Sequence, residues 1–257
     1  MKRISIVIPA YNEGGRITRT LDTYSSYFKD MRNKGILDVE LLVVLNGCRD
    51  NTREIVEAAR QRNGDHIRIM DLKQAGKGLA VAEGFKDALT RPNDYIGFVD
   101  ADMATKPEHF YDLFVAQGTA DGAIASRYMA GAQIYPPRPF VKSWGRKLVY
   151  HSLIRALFGM KYYDYQCGAK LFTRQVVAAI APHLHERRWA FDVELLYLCK
   201  KNGCVIKEVP TVWHDQDDSK LKVMRSGMRM LGSLFELRWR HMRMRTNSNK
   251  QNKEKMV

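Results

Sequence analysis

Apolar residues in the first hundred positions gather into short, nearly continuous runs: Ile4 to Ile8, Val39 to Leu45, Ile67 to Asp71 and Tyr95 to Val99. Between them, over about 14–28, 51–63 and 76–90, they recur with helical spacing. Continuous runs suit strands buried on both faces, and the spaced pattern suits amphipathic helices. The alternation predicts βαβ units and a parallel sheet covered by helices on both sides. Asn51 with Glu54 and Thr105 with Glu108 have capping-box spacing and mark two helix starts. The later half repeats the rhythm less cleanly, with strands at Gly122 to Ser126 and Val205 to Val209 and helices near 141–157, 173–181 and 190–201. Ala130 to Pro139, holding three of the eight prolines, and His214 to Ser219 read as surface loops.

The chain has 257 residues, 45% of them hydrophobic, which excludes a disordered chain and a disulfide-stapled miniprotein. No uncharged apolar run approaches the ~18 residues of a membrane span, so neither a transmembrane helix nor a secretory signal is expected. Cys48, Cys167, Cys199 and Cys204 form no CxxC pair and have no histidine at metal spacing. That pattern predicts isolated, reduced thiols in a cytoplasmic protein.

The formal charge of +14 is unevenly spread. From Lys222 onward there are ten Lys and Arg against two acids, a net +8, which leaves +6 for residues 1–221. Met224, Met228, Leu231, Phe235 and Met242 fall at three- and four-residue steps, broken at Arg238, while Arg225, Arg229, Arg240 and Arg243 lie largely elsewhere round the helix. Such a basic amphipathic helix over 222–245, with Trp239, suits a peripheral membrane anchor; a terminal helix packed on the domain with a solvated basic face is the alternative. A flexible polar tail is expected over 246–257. Basic charge also suits nucleic acid, but that reading leaves the residues at the strand ends unexplained, and no nucleic-acid partner is expected.

In a parallel sheet the ligand lies beyond the carboxyl ends of the strands. The strand Tyr95 to Val99 is followed by Asp100-Ala101-Asp102, whose alternate residues, if extended, project to one side. Two such carboxylates suit one hard divalent cation that completes its shell with substrate phosphates, or one suits the metal and the other a ribose. Pro9-Ala10-Tyr11-Asn12-Glu13 follows the first strand, Asn46-Gly47-Cys48-Arg49-Asp50 the second, and Lys73 with Gly76-Lys77-Gly78 the third. A ring, amides and a glycine-flanked lysine suit a base, a ribose and a phosphate. Neither the P-loop nor the dinucleotide fingerprint is present.

These segments together, Ile6 to Glu13, Gly76-Lys77-Gly78 and Asp100-Ala101-Asp102, resemble in order and spacing the inverting family 2 glycosyltransferases of the GT-A fold, over roughly residues 2–221. Asp100 to Asp102 with Ala104-Thr105-Lys106, Gln166 to Phe172, Trp189 to Glu194 and Ser219-Lys220-Leu221 resemble the dolichyl-phosphate β-glucosyltransferases within that family. The resemblance implies a Rossmann-like GT-A domain over 1–221 and transfer of a hexose, glucose from UDP-glucose, to a dolichyl or other polyprenyl phosphate with Mg²⁺ or Mn²⁺. A GDP-mannose donor or a hydroxyl acceptor are the alternatives. Pro9, Tyr11 and Glu13 would line the nucleoside, Asp100, Ala101 and Asp102 would serve the nucleotide and metal, and Lys77 would approach the nucleotide. Lys220 would meet the diphosphate, and Arg127, Lys142 and Arg146 the acceptor phosphate. Asp192, in Phe191-Asp192-Val193-Glu194, matches the segment that supplies a base to hydroxyl acceptors. Two departures stand out. Leu45-Asn46-Gly47-Cys48 replaces the family's acidic pair, leaving Asn46, an amide that donates and accepts, to meet the base. Asp217-Asp218 precedes Ser219, where a neutral loop would hold a diphosphate better.

Overall fold

The computed structural model describes residues 1–136, 150–188, 190–214 and 232–243. The chain falls into two units, Met1–Arg138 with Tyr162–Asp217, and Pro139–Lys161 with Asp218–Val257.

In the first unit β1 (Lys2–Ala10), β2 (Leu37–Asn46), β3 (Ile67–Leu72) and β4 (Tyr95–Val99) are parallel and alternate with α1 (Ile17–Asn33), α2 (Thr52–Asn63) and α3 (Lys77–Leu89). After α4 (Pro107–Gln117), β5 (Gly122–Ser126) joins the same seven-stranded sheet. Ile4, Ile6 and Ile8 of β1 and Leu41, Val43 and Leu45 of β2 share one core with Leu21 and Tyr24 of α1. Val7, Leu42 and Val44, between them in sequence, are equally buried, so both sheet faces are covered and the apolar runs are continuous rather than alternating. β1 lies between β2 and β4, so the direction of winding reverses at the β1/β4 boundary. A crevice at the carboxyl end of such a boundary is where open α/β sheets bind ligands.

Three strands were not expected. β6 (Gln133–Tyr135) and β9 (Val212–His214) pair as a small parallel sheet inside segments read as loops or at their margins. β7 (Ala169–Thr173) enters the main sheet antiparallel between β4 and β5, and β8 (Ile206–Pro210) completes the far edge beside β5. A charged residue, Lys170, interrupts the apolar run of β7 and hides it from a pattern search. The expected helix near 173–181 is a helix over Arg174–Ile180 with a 3-10 turn at Ala181–His183, and that near 190–201 runs Phe191–Lys201.

The capping boxes do not form. Asn51 precedes α2 without a side-chain cap, and Asp50 Oδ1 instead accepts from the Thr52 amide at 3.1 Å. At α4 the cap position is Lys106, because Pro107, whose fixed φ and missing N–H suit the first helical position, sets the start two residues past Thr105. The four cysteines are free thiols, as expected, but Cys199 and Cys204 are neighbours. Cys204 N donates to Cys199 O at 3.0 Å, and a hydrogen bond between the two thiols draws Cys204 down to about 7.

In the second unit residues 150–158 are helical and bury Tyr150, Ile154 and Phe158; the rest of the expected helix near 141–157 lies outside the described residues. Residues 232–243 form a helix with two apolar faces. Leu234, Leu237 and His241 are buried, whereas Phe235, Trp239 and Met242 are 55%, 57% and 45% exposed. The sequence pattern had offered an exposed anchor or a packed helix, and this segment has a face of each kind. Met224, Met228, Leu231 and the tail over 246–257 lie outside the described residues. Among the described residues no helix is long and apolar enough to cross a membrane.

Candidate active site

The β4 end carries the site. Asp100 N donates to Gly168 O at 3.0 Å, which couples the start of the acidic motif to the residue before β7. Lys77 Nζ, at the first position of α3, lies 2.6 Å from Asp100 Oδ1 and 5.5 Å from the centre of the Phe98 ring. Burial opposes the lysine's charge, but Asp100, Asp192 and Asp102 together outweigh it and raise its pKa. Asp100 to Asp102 is not extended: Ala101 and Asp102 lie in a turn closed by Met103 at φ +60°. Strand alternation therefore does not bring the two acids together. The turn does, pinned by Thr20 Oγ1, which donates to Ala101 O at 2.7 Å, and by the Ala104 amide, which donates to Asp102 Oδ1 at 3.0 Å. Burial first, and the Asp100 charge second, push the Asp102 carboxyl up to about 6.

Tyr11, at the end of β1, is 44% exposed at the mouth of the sheet, while Pro9 lies within the strand beside Val44. Glu13 is held by a bidentate pair with Arg16, and its amide donates to Thr52 Oγ1 at 2.8 Å. Asn12 Oδ1 accepts from Arg49 N at 2.8 Å, so the loops after β1 and β2 are tied together.

Asn46 and the glycines of Gly76-Lys77-Gly78 have other work than expected. Asn46 is 2% exposed; its Nδ2 donates to Ala10 O at 2.9 Å and its Oδ1 accepts from Gly76 N at 3.0 Å. The direct contact to a base gives way to a brace between β1 and the start of α3. A Cβ at Gly76 would stand 2.6 Å from Arg187 O, and one at Gly78 would stand 2.4 Å from Glu186 O. Gly78 N donates to Arg187 O at 3.1 Å. The two glycines thus admit the 186–187 backbone against α3, and this helix amide serves a protein carbonyl rather than a phosphate. Glu194 fixes that loop from behind, its Oε2 accepting from His185 N at 2.8 Å and Glu186 N at 2.6 Å.

Asp192 is buried, and its Oδ1 lies 2.5 Å from Nζ of Lys170, which is fully buried. Lys170 also donates to Cys167 O at 2.7 Å. Arg127 is committed elsewhere than to an open phosphate site: Nε and Nη2 reach Asp164 at 2.6 and 3.0 Å, and the guanidinium lies over Trp213 at 4.8 Å. Burial would raise Asp164, but Arg127 and the backbone amides of Arg127 and Gln166 outweigh it and hold the carboxyl below the usual range. The acceptor-phosphate role expected of Arg127 thus meets a buried, bidentate ion pair. Lys142, Arg146 and Lys220 lie outside the described residues. Lys170, Gly168 and Asp164 were missed by the sequence reading, whereas Glu194, offered there as a partner of Asp192 or a structural acid, holds the 185–186 backbone. The only signals of the first three were a lysine inside an apolar run and an acid and a glycine among apolar neighbours.

A mostly parallel seven-stranded sheet with flanking helices is the GT-A fold, and solved structures share that fold. Glucosyl-3-phosphoglycerate synthase from Mycobacterium tuberculosis, solved with Mn²⁺, UDP and phosphoglyceric acid, superposes with a TM-score of 0.62 at 18% identity, over 91% of this chain and 78% of that one. Mannosyl-3-phosphoglycerate synthase from Rubrobacter xylanophilus gives 0.59 at 14% identity, over 96% and 75%. The Glycosyl transferase family 2 profile matches residues 5–180, and the chain belongs to that family. Dolichyl-phosphate beta-glucosyltransferase from Dictyostelium discoideum is 32% identical over 93% of this chain and 75% of its own length. The human protein of that name is 32% identical over 94% and 76%. The chain is therefore a glycosyltransferase.

Proposed function

We propose that the chain transfers glucose from UDP-glucose to a dolichyl or other polyprenyl phosphate, with Mg²⁺ or Mn²⁺, while bound peripherally at the cytoplasmic face of a membrane. The observation that carries this reading is the similarity, at 32–36% identity and over 87–94% of the chain, to proteins named dolichyl-phosphate beta-glucosyltransferase. The site's chemistry supports it. Asp100 and Asp102 offer two hard oxygen donors, and a cation between them would offset both the burial and the neighbouring Asp100 charge that raise Asp102. Among the described residues no third acid, histidine or cysteine joins them, which suits an ion that fills its shell with diphosphate oxygens and water. Asp100 and Asp102 would hold such a cation, which would supply positive charge against the departing diphosphate. Lys77, paired with Asp100, approaches the nucleotide, and Tyr11 and Glu13 line the nucleoside.

A phosphate acceptor is already anionic at neutral pH, so positioning matters more than proton removal. Asp192, neutralised through Oδ1 by Lys170, suits that chemistry: it orients a sugar or acceptor group rather than serving as a free base. Lys142, Arg146 and Lys220 are the cations proposed for acceptor and diphosphate, in place of the ion-paired Arg127.

Phe235, Trp239 and Met242, exposed on one helix face with the Arg243 guanidinium 5.1 Å from the Trp239 ring centre, suit an interface that is apolar at its centre and anionic at its rim. Turnover with a panel of UDP- and GDP-sugars, a short polyprenyl phosphate and either metal tests the proposal. A glucolipid made from UDP-glucose, and lost with chelator or Asp102→Ala, supports it; product from soluble hydroxyl acceptors alone overturns it.

A further inference from the structure

We infer that Lys170 is a positioning residue for glycosyl transfer: it holds Asp192 in register with the Asp100–Lys77 pair. This rests on the reading that Asp192 acts on sugar or acceptor. Lys170 is fully buried, which leaves an ammonium in the core only if its partners justify it. Its partners are the Asp192 carboxylate at 2.5 Å and the Cys167 carbonyl at 2.7 Å. Two anchors on different segments fix the ammonium, and through it one oxygen of Asp192.

The second ion pair of the site is arranged about the same ring. Nζ of Lys77 lies 5.5 Å and Nζ of Lys170 5.2 Å from the centre of Phe98, so the Asp100–Lys77 and Asp192–Lys170 pairs both border one buried side chain of β4.

β7 and the residue before it serve both acids. Gly168 leaves space for the Asp100 carboxylate, since a Cβ there would lie 1.9 Å from Asp100 Oδ2, and its carbonyl accepts from the Asp100 amide at 3.0 Å. Two residues further on, Lys170 reaches Asp192 on the first turn of the Phe191–Lys201 helix. β7 bonds antiparallel to β4, with Phe98 opposite Lys170 and Val99 opposite Ala169. Register between these two strands therefore sets the separation of the donor-side and acceptor-side carboxylates. An aliphatic residue would fill the volume of Lys170 but leave Asp192 free to turn and without its counter-charge.

The test is a double-mutant cycle of Lys170→Met and Asp192→Asn, with kcat for glycolipid formation and donor Kd measured separately. Lys170→Met is expected to lower kcat about 10- to 100-fold with donor Kd changed less than about threefold, the mark of a positioning group rather than of general damage. The double variant is expected to be no slower than Asp192→Asn alone. If Lys170→Met does not fold, Lys170→Gln, which keeps an N–H donor for Oδ1 without the charge, is read by the same criteria. Multiplicative losses, or an unchanged kcat when Asp192→Asn is slow, overturn the inference while leaving Asp192 in the site. An Asp192→Asn variant with normal kcat removes Asp192 from the reaction, and the inference falls with it.

Discussion

Adding one methyl group at Gly168 should disable the site while leaving the fold. The Cβ of Gly168→Ala would stand 1.9 Å from Asp100 Oδ2, 2.3 Å from Cγ and 2.9 Å from Oδ1. Ordinary contact begins near 3.4 Å, so the carboxylate must move by roughly 1.5 Å. The Asp100 backbone cannot retreat, because its amide is bonded to Gly168 O at 3.0 Å and the next residue pair is already in the β4–β7 ladder. The side chain must rotate instead, and the 2.6 Å pair with Lys77 breaks. A displacement of about 1 Å in a positioned group can cost about 100-fold in rate. Overpacking adds about 1–3 kcal/mol of destabilisation. The assay is steady-state glycosyl transfer with donor binding by calorimetry, alongside urea unfolding. Near wild-type turnover and donor affinity in a folded Gly168→Ala protein would refute the placement of Asp100 against Gly168.

Asp102 makes stability fall with pH in the absence of divalent cation. Its carboxyl is pushed from 3.8 up to about 6 in the fold, so its contribution to folding is complete below about pH 4 and is lost as pH rises through 6. Asp102→Asn should gain about 2–3 kcal/mol on wild type between pH 4 and 7, while losing turnover; parallel urea-derived stabilities across that range would contradict the shift. Arg127→Met leaves Asp164 buried and unpaired and should cost about 3–5 kcal/mol, much of it recovered by adding Asp164→Asn. A variant that lost only acceptor affinity, with its melting temperature intact, would restore the phosphate role. Gly78→Ala forces a Cβ to within 2.4 Å of Glu186 O, and faster amide exchange at 184–188 is expected; unchanged exchange there would show that the loop does not depend on that close approach.

What the chain declares locally, it declares well. β1 to β4 and α1 to α3 are readable because burial on both sheet faces imposes continuous apolar runs and helix packing imposes a three- to four-residue period, both visible within ten or so residues. The acids at Asp100 and Asp102, the lysine at 77 and the ring at Tyr11 are legible for the same reason: they stand directly after readable strands. The state of those groups belongs to the tertiary structure. Lys170 meets Asp192 across 22 residues and Arg127 meets Asp164 across 37, and no local pattern says that a buried cation has found its anion. Gly76 and Gly78 read in sequence only as flanks of a lysine suited to a phosphate, yet the 186–187 backbone, more than a hundred residues away, needs their space. The antiparallel β7 lies between strands that precede it in the chain, and its one charged residue is affordable only where a carboxylate waits in the core. Periodicity is a local consequence of burial, whereas charge pairing, close approach and desolvation depend on which distant segments the fold brings together.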